Sequence, residues 1–181
     1  MPQKDLRNCE IYITDGDSGS VEIRVGEGNL TWTERQTIEY TLNRGKLASA
    51  DGGAARYGDD EPIDVTLDFL WDWYTSTGGV GPAEALKREG AASAWVSVDD
   101  EDPCAPYAVN IEVIYDAGEC WDEVSTADGR YERYILPIFR YNDIEYNLDE
   151  GSISVTGQCQ ATKILTERVA VKPTPGSPLA E

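Results

Sequence analysis

Carboxylates are the residues of this chain with the most obvious chemical capacity. Asp99, Asp100, Glu101 and Asp102 run together ahead of Pro103, and Asp59, Asp60 and Glu61 precede Pro62. Calcium takes six to eight oxygen ligands and uses such loops when the acids are correctly spaced. Asp15-Gly16-Asp17-Ser18-Gly19 comes closest to that spacing, but Gly26 stands where the bidentate acid belongs. These runs read as solvated acidic turns. Paired carboxylates also hydrolyse glycosides. In a chain this acidic, however, a pair at a suitable distance arises by chance, so pairing alone assigns no hydrolase. The cysteines are Cys9, Cys104, Cys120 and Cys159, with no CxxC spacing, and there is no histidine. That removes Ser-His-Asp and Cys-His nucleophiles and every His-containing metal site. Ordinary thiols are the better reading than a zinc site of four isolated thiolates. Gly26-Glu27-Gly28 and Gly78-Gly79 lack the Gly-Lys-Ser/Thr of a phosphate loop. No catalytic residue, cofactor or metal is assigned.

The charge balance narrows the partners. Of 181 residues, 34 are Asp or Glu and 15 are Lys or Arg, a formal net charge of −19. Broad nucleic-acid binding needs clustered cations, as does an anionic membrane surface, and neither is expected here. Tyr57 to Leu86 and Glu89 to Gly129 contain no Lys or Arg at all. The length suits one domain able to fold without staples. Hydrophobic residues make up 40%, with 10 Tyr and 5 Trp, a composition that favours strands. No apolar run approaches a membrane span, and Met1-Pro2-Gln3-Lys4-Asp5 opens no signal peptide. The expectation is a cytoplasmic product with reduced thiols.

The elements that position these residues alternate with period two. Cys9, Ile11 and Ile13, then Val21, Ile23 and Val25, flank an Asp/Gly loop and predict a β-hairpin. Further strands are expected over 36–42, with Ile38, Tyr40 and Leu42 on one face, and over 63–74. In the latter, Val65, Leu67, Phe69, Trp71 and Trp73 form the core face. In the second half, Tyr107, Val109, Ile111, Val113 and Tyr115 lie opposite Asn110 and Glu112, which should face solvent. Strands follow over 131–140, where Pro137 marks an edge or bulge, over 152–160, where Gly157 marks a bulge or close approach, and over 163–171. Pro82 and Gly90 bracket one short helix, with Glu84 and Arg88 at the favourable i,i+4 spacing. The domain is read as 1–172, and Pro173, Pro175 and Pro178 mark 173–181 as an extended tail.

The connection 43–62 carries Asn43, Gly45, Gly52, Gly53, Gly58 and Pro62 and reads as lacking regular structure. A loop this long inside a compact domain is a flexible insertion or an arm that reaches a neighbour.

Several stretches resemble, in pattern and order, the bacteriophage tail tube (major tail) proteins. They are Gly26-Glu27-Gly28-Asn29-Leu30, Ile38-Glu39-Tyr40, Arg44-Gly45 and Val65-Thr66-Leu67-Asp68-Phe69. Asp102-Pro103-Cys104-Ala105-Pro106-Tyr107 through Ile111-Glu112-Val113, and Gly151 through Gly157, continue the likeness. The resemblance spans roughly residues 5–168 and implies a mainly β fold, a β-sandwich or flattened barrel flanked by one short α-helix. It implies stacked hexameric rings forming a conduit with an acidic lumen, through which DNA passes as unbound cargo. Implied partners are further copies of the chain, a tape measure protein and a tail terminator. The implied location is the virion, after assembly in the host cytoplasm. By order along the chain, 43–62 would be the ring-stacking loop, with Arg44, Lys46, Leu47, Arg56 and Tyr57 as the residues with reach. A calcium-stabilised carbohydrate-binding β-sandwich is the alternative, on the strength of the Trp and Tyr content and the acidic loops.

Overall fold

The computed structural model describes residues 9–26, 29–47, 52–71, 79–99, 104–117 and 129–179. The chain is mainly β. The strands are β1 (Cys9–Thr14), β2 (Ser20–Ile23), β3 (Leu30–Thr33), β4 (Ile38–Thr41), β5 (Ala54–Tyr57) and β6 (Ile63–Leu70). After helix α1 (Pro82–Lys87) come β7 (Val109–Asp116), β8 (Tyr131–Asn147), β9 (Ser152–Cys159) and β10 (Leu165–Val169). All pairings are antiparallel, in the order β2-β1-β7-β8-β9-β6-β3, with β10 also on β8 and β4-β5 as a separate pair.

Strand β8 has 17 residues and belongs to two layers. Its first part pairs with β7 and β10, and its second part, from Phe139 onward, pairs with β9. Between the two parts Ile138 takes a left-handed φ of 50°, and the register against β7 slips. The amide that this frees from the ladder is satisfied, because Ile138 N–H donates to Asn110 Oδ1 at 3.0 Å. Pro137 therefore marks a bulge rather than an edge, as a missing ladder donor requires. A second slip lies between Tyr141 and Asp143, opposite Gly157. A Cβ on Gly157 would stand 2.3 Å from the Arg140 carbonyl oxygen and 2.6 Å from the Phe139 ring, so only glycine lets the backbones approach this closely.

The two layers, β2-β1-β7-β8-β10 and β8-β9-β6-β3, close over one core. Ile11, Ile13, Ile111 and Leu136 meet Val65, Leu67, Phe69, Phe139 and Val155 there. Trp32 of β3 reaches Tyr134 of β8, with ring centroids 6.5 Å apart. Helix α1 covers one side, burying Pro82, Ala85 and Leu86. Glu84 does not serve as half of a surface pair with Arg88. Its carboxylate accepts from the Gly81 N–H at 3.1 Å, while Arg88 takes the left-handed cap position and lies over the Tyr107 ring. Residues 90–92 form a 3-10 turn.

Three expectations need correction, and one strand is added. Strand β6 ends at Leu70, so Trp71 is 44% exposed rather than core, and Trp73 lies outside the described residues. The stretch 43–62 is not irregular throughout, because it contains β5. Strand β3 was not legible as a strand at all. Glu112 does not face solvent; it and Arg133 are each 1% exposed.

The cover over Glu112 is the C-terminal segment. Arg133 donates to Glu112 through Nε and a terminal nitrogen, at 3.0 and 2.9 Å, and to Glu167 at 3.0 Å. Thr14 Oγ1 donates to Glu112 at 2.9 Å. Gly176 N–H donates to the same carboxylate at 3.0 Å, and Arg133 donates to the Ser177 carbonyl at 2.7 Å. Lys172 pairs with Glu10 at 2.6 Å, tying the start of the segment to β1. A buried ion pair is tolerable only when its remaining donors and acceptors find partners. Here the backbone of Gly176 and Ser177 supplies two of them.

Candidate assembly surface

The most unusual surface is the excursion from Thr33 to Ile63. Strands β3 and β6 pair with each other, and the chain between them leaves the sheet as a second hairpin, β4-β5. Its base is held by Arg35, which pairs with Asp64 at 2.7 Å and Glu61 at 3.9 Å. Thr37 donates to Glu61 at 3.2 Å, and Gly58 N–H donates to the Thr37 carbonyl at 2.9 Å.

Every residue of β4 and β5 is exposed. The register places Ile38 opposite Tyr57 and Tyr40 opposite Ala55 on one face, with Glu39 opposite Arg56 on the other. Arg56 and Glu39 form an ion pair at 2.5 Å. The tip is a tight turn. Asn43 and Lys46 exchange backbone hydrogen bonds of 3.1 and 2.9 Å around Arg44 (φ 50°) and Gly45 (φ 79°). Positive φ at both central residues is the hairpin turn that matches strand twist. Leu42 and Leu47 flank it, both exposed.

Of the five residues singled out from sequence, Arg44, Lys46 and Leu47 are thus gathered at the tip. Arg56 and Tyr57 stand lower on the ladder and on opposite faces, and Arg56 is engaged by Glu39. The sequence reading missed Ile38, Tyr40 and Leu42 as members of this surface, although their alternation was visible. A two-stranded hairpin is marginal in water, and this one turns an apolar face outward. Burying a residue such as Ile38 or Leu42 returns about 1.5–3 kcal/mol.

A second surface is acidic. The outward rows of the layer containing β6, β9 and late β8 carry Asp64, Thr66 and Asp68, then Ser154, Thr156 and Gln158, then Asp143 and Glu145. Asp68, Ser154 and Glu145 are neighbours in register, as are Thr66, Thr156 and Asp143. Ser154 donates to Asp68, and Gln158 donates to Asp64 at 2.8 Å. The nearest cation on these three strands, Arg140, is engaged by Asp99, the Pro106 carbonyl and Gln160.

A third surface lies at the end of that layer remote from the hairpin. Trp71 and Tyr146 pack at 5.3 Å between ring centroids, and Lys87 lies 5.1 Å from the Tyr146 ring. Beside them Leu148 is 79% exposed on the β8-β9 turn, next to exposed Asp149 and Glu150. The turn is held by Asn147 Oδ1, which accepts from the Asp149 and Glu150 amides, and by Trp71 N–H donating to the Gly151 carbonyl at 2.7 Å.

Among the described residues no group of three or more His, Cys, Asp or Glu could hold a metal ion. Asp15 is occupied with backbone, accepting from Asp17, Gly19 and Val96. Most of the Asp99–Asp102 run, and Cys120, lie outside the described residues. Cys159 is a free thiol, and burial pushes its pKa up to about 12. Its strand does not pair with that of Cys9. No described helix is long and apolar enough to cross a membrane.

No family model matches the sequence, and no curated protein does. Among solved structures, the chain aligns with the extended-state sheath-tube complex of PVC, an extracellular contractile injection system. The TM-score is 0.45 at 7% identity, covering 88% of each chain.

Proposed function

We propose that this chain is a non-enzymatic structural subunit of a phage-type tail tube, polymerising as stacked hexameric rings around an acidic lumen. The observation that carries the reading is the β4-β5 hairpin, an arm whose apolar face, Ile38, Tyr40 and Tyr57, stands exposed. A second copy would supply the missing burial. Two sheet edges support lateral assembly. Among the described residues, strand β3 pairs with β6 alone, and β8 beyond Tyr141 pairs with β9 alone. Open edges invite strand addition, and pairing them between copies around a ring would remove both.

The outward face of β6, β9 and late β8 is then the lumen wall. Asp68, Asp143 and Glu145 would repel phosphates, while Ser154 and Thr156 keep the wall hydrated and free of fixed cations. DNA would pass as cargo without being held. Tape measure and terminator proteins are the expected partners, and the virion, assembled in a host cytoplasm, is the expected location.

Negative-stain electron microscopy of the purified chain tests this directly. Rings or tubes are expected, and uniform small monomers at every concentration would refute it.

A further inference from the structure

Glu112 and Arg133 are saturated with partners. A guanidinium has five N–H groups and a carboxylate about four acceptor positions. Arg133 donates twice to Glu112 and once to Glu167. Its other two N–H groups go to Ser177, to the carbonyl at 2.7 Å and to Oγ at 3.3 Å. Glu112 accepts from Thr14 and Gly176 on one oxygen and twice from Arg133 on the other. In side chains this deeply buried, each position left empty costs the desolvation of a charge.

The segment that fills these positions carries its own shape. Ser177 N–H donates to the Thr174 carbonyl at 3.1 Å, and Ser177 Oγ donates to the same oxygen at 2.7 Å. Pro175 and Gly176 stand between, with φ 79° at Gly176. Proline at the first central position and positive φ at the second mark a type II turn, which this sequence favours without help from the rest of the chain. No described strand includes it: β10 ends at Val169, and exposed Ala170 and Val171 lead on to Lys172.

We propose that Glu112 and Arg133 form a peptide-binding socket for a Pro-Gly turn followed by a hydroxyl residue, filled in the subunit by its own Thr174–Ser177 as a separable plug. Two of the three contacts are to backbone, the Gly176 N–H and the Ser177 carbonyl. The socket therefore reads the geometry of the turn and, through Ser177 Oγ, one hydroxyl. A short tether holds the plug at high local concentration. The turn opens as a preformed unit, because its internal bonds do not depend on the socket. This site does not rest on the tube reading.

The test empties the socket in the full-length protein with Gly176→Val. A Cβ there meets nothing closer than Thr14 at 3.9 Å, but a β-branched residue does not hold φ 79°. Far-UV circular dichroism checks the fold. The probe is a fluorescein-labelled peptide of residues 171–179, titrated to about 1 mM and read by anisotropy. The folded variant should bind it saturably, and the parent at least about tenfold more weakly, because its own plug competes. The same peptide with Val in place of Gly should bind neither. No saturable binding to the folded variant, equal binding to parent and variant, or equal binding of the two peptides overturns the socket. Hydrogen exchange in the parent decides independently of whether the variant folds. The Gly176 amide should exchange at least about tenfold faster than that of Ile111 in β7, and equal rates would show that no separable plug exists.

Discussion

Ile38 and Tyr57 face each other across the β4-β5 ladder, and both remain open to solvent: Ile38 is 42% exposed and Tyr57 78%. Cross-strand pairs of this type normally stabilise a sheet by packing on a core as well as on each other. Here the second contact is incomplete among the described residues. Replacing both with Ser should leave the melting temperature nearly unchanged, since exposed substitutions usually cost within about 0.5 kcal/mol. The same variant should fail to form tubes. Assembly at the parent's concentration would show that this face plays no part.

The Glu112–Arg133 pair makes the opposite prediction. Arg133→Leu leaves a buried carboxylate with only Thr14 and Gly176 as partners, and should cost about 3–5 kcal/mol in urea unfolding. The Glu112→Leu, Arg133→Leu double variant should recover part of that loss, because no charge is then stranded. A double variant less stable than the single one would mean that the pair contributes more than the sum of its burial costs.

Alkaline stability follows from two weak acids, buried Cys159 and half-buried Tyr107. Cys159 is pushed up to about 12 by burial, from an ordinary value of 9.0. Tyr107 is pushed up to about 12 by burial and by the charge of Asp15, against the opposing pull of Arg88, from 10.0. Both folded-state values exceed the unfolded ones, so the unfolded chain releases these protons first. The stabilisation is complete below about pH 9 and is lost as pH rises towards 12. The urea midpoint should therefore fall between pH 8.5 and roughly 11, and Cys159→Ala should flatten the lower part of that fall. A midpoint that rose over this interval would contradict the assignment.

Lumen chemistry is tested by reversal of charge. Asp143→Lys and Glu145→Lys put cations on the proposed wall, where each phosphate contact releases counterions. Assembled tubes should then retain DNA at low salt and release it as salt rises. Asp17→Lys, on the exposed β1-β2 turn, is the control and should retain none. Equal retention by both would place the conduit elsewhere.

Gly157→Ala tests the corner of β8. The added methyl meets the Arg140 carbonyl and the Phe139 ring, and should cost about 1–3 kcal/mol in thermal unfolding. A neutral effect would show that the corner relaxes freely.

The strands with one buried face were legible in the sequence. Val65, Leu67 and Phe69, and Ile153, Val155 and Cys159, alternate as a half-buried sheet demands. Strand β5 was hidden because Ala54, Ala55 and Arg56, three of its four residues, are neither β-branched nor aromatic, and β3 because only Leu30 of its four residues is buried. The alternation of Ile38, Tyr40 and Leu42 marked a strand but could not say whether anything covered it. Glu112 was misplaced for the converse reason. Its cover arrives from Gly176, a contact 64 residues away in sequence, to which local periodicity is blind. Arg44, Lys46 and Leu47 were singled out by chain order under the resemblance, not by the turn they form, while the exposure of Trp71 was missed by extending β6 too far.

The same C-terminal cover has a consequence for the order in which the protein completes its fold during synthesis. Arg133 leaves the ribosome 44 residues ahead of Ser177, the residue whose carbonyl it needs. At about 5–20 residues per second, that gap is roughly 2–9 s. During it the sheet can form, but its most buried charges await their last partners. The nascent subunit reaches its final stability only when Gly176 and Ser177 emerge, so premature termination within those residues yields a chain whose strands are all present and whose central ion pair is left partly unsatisfied.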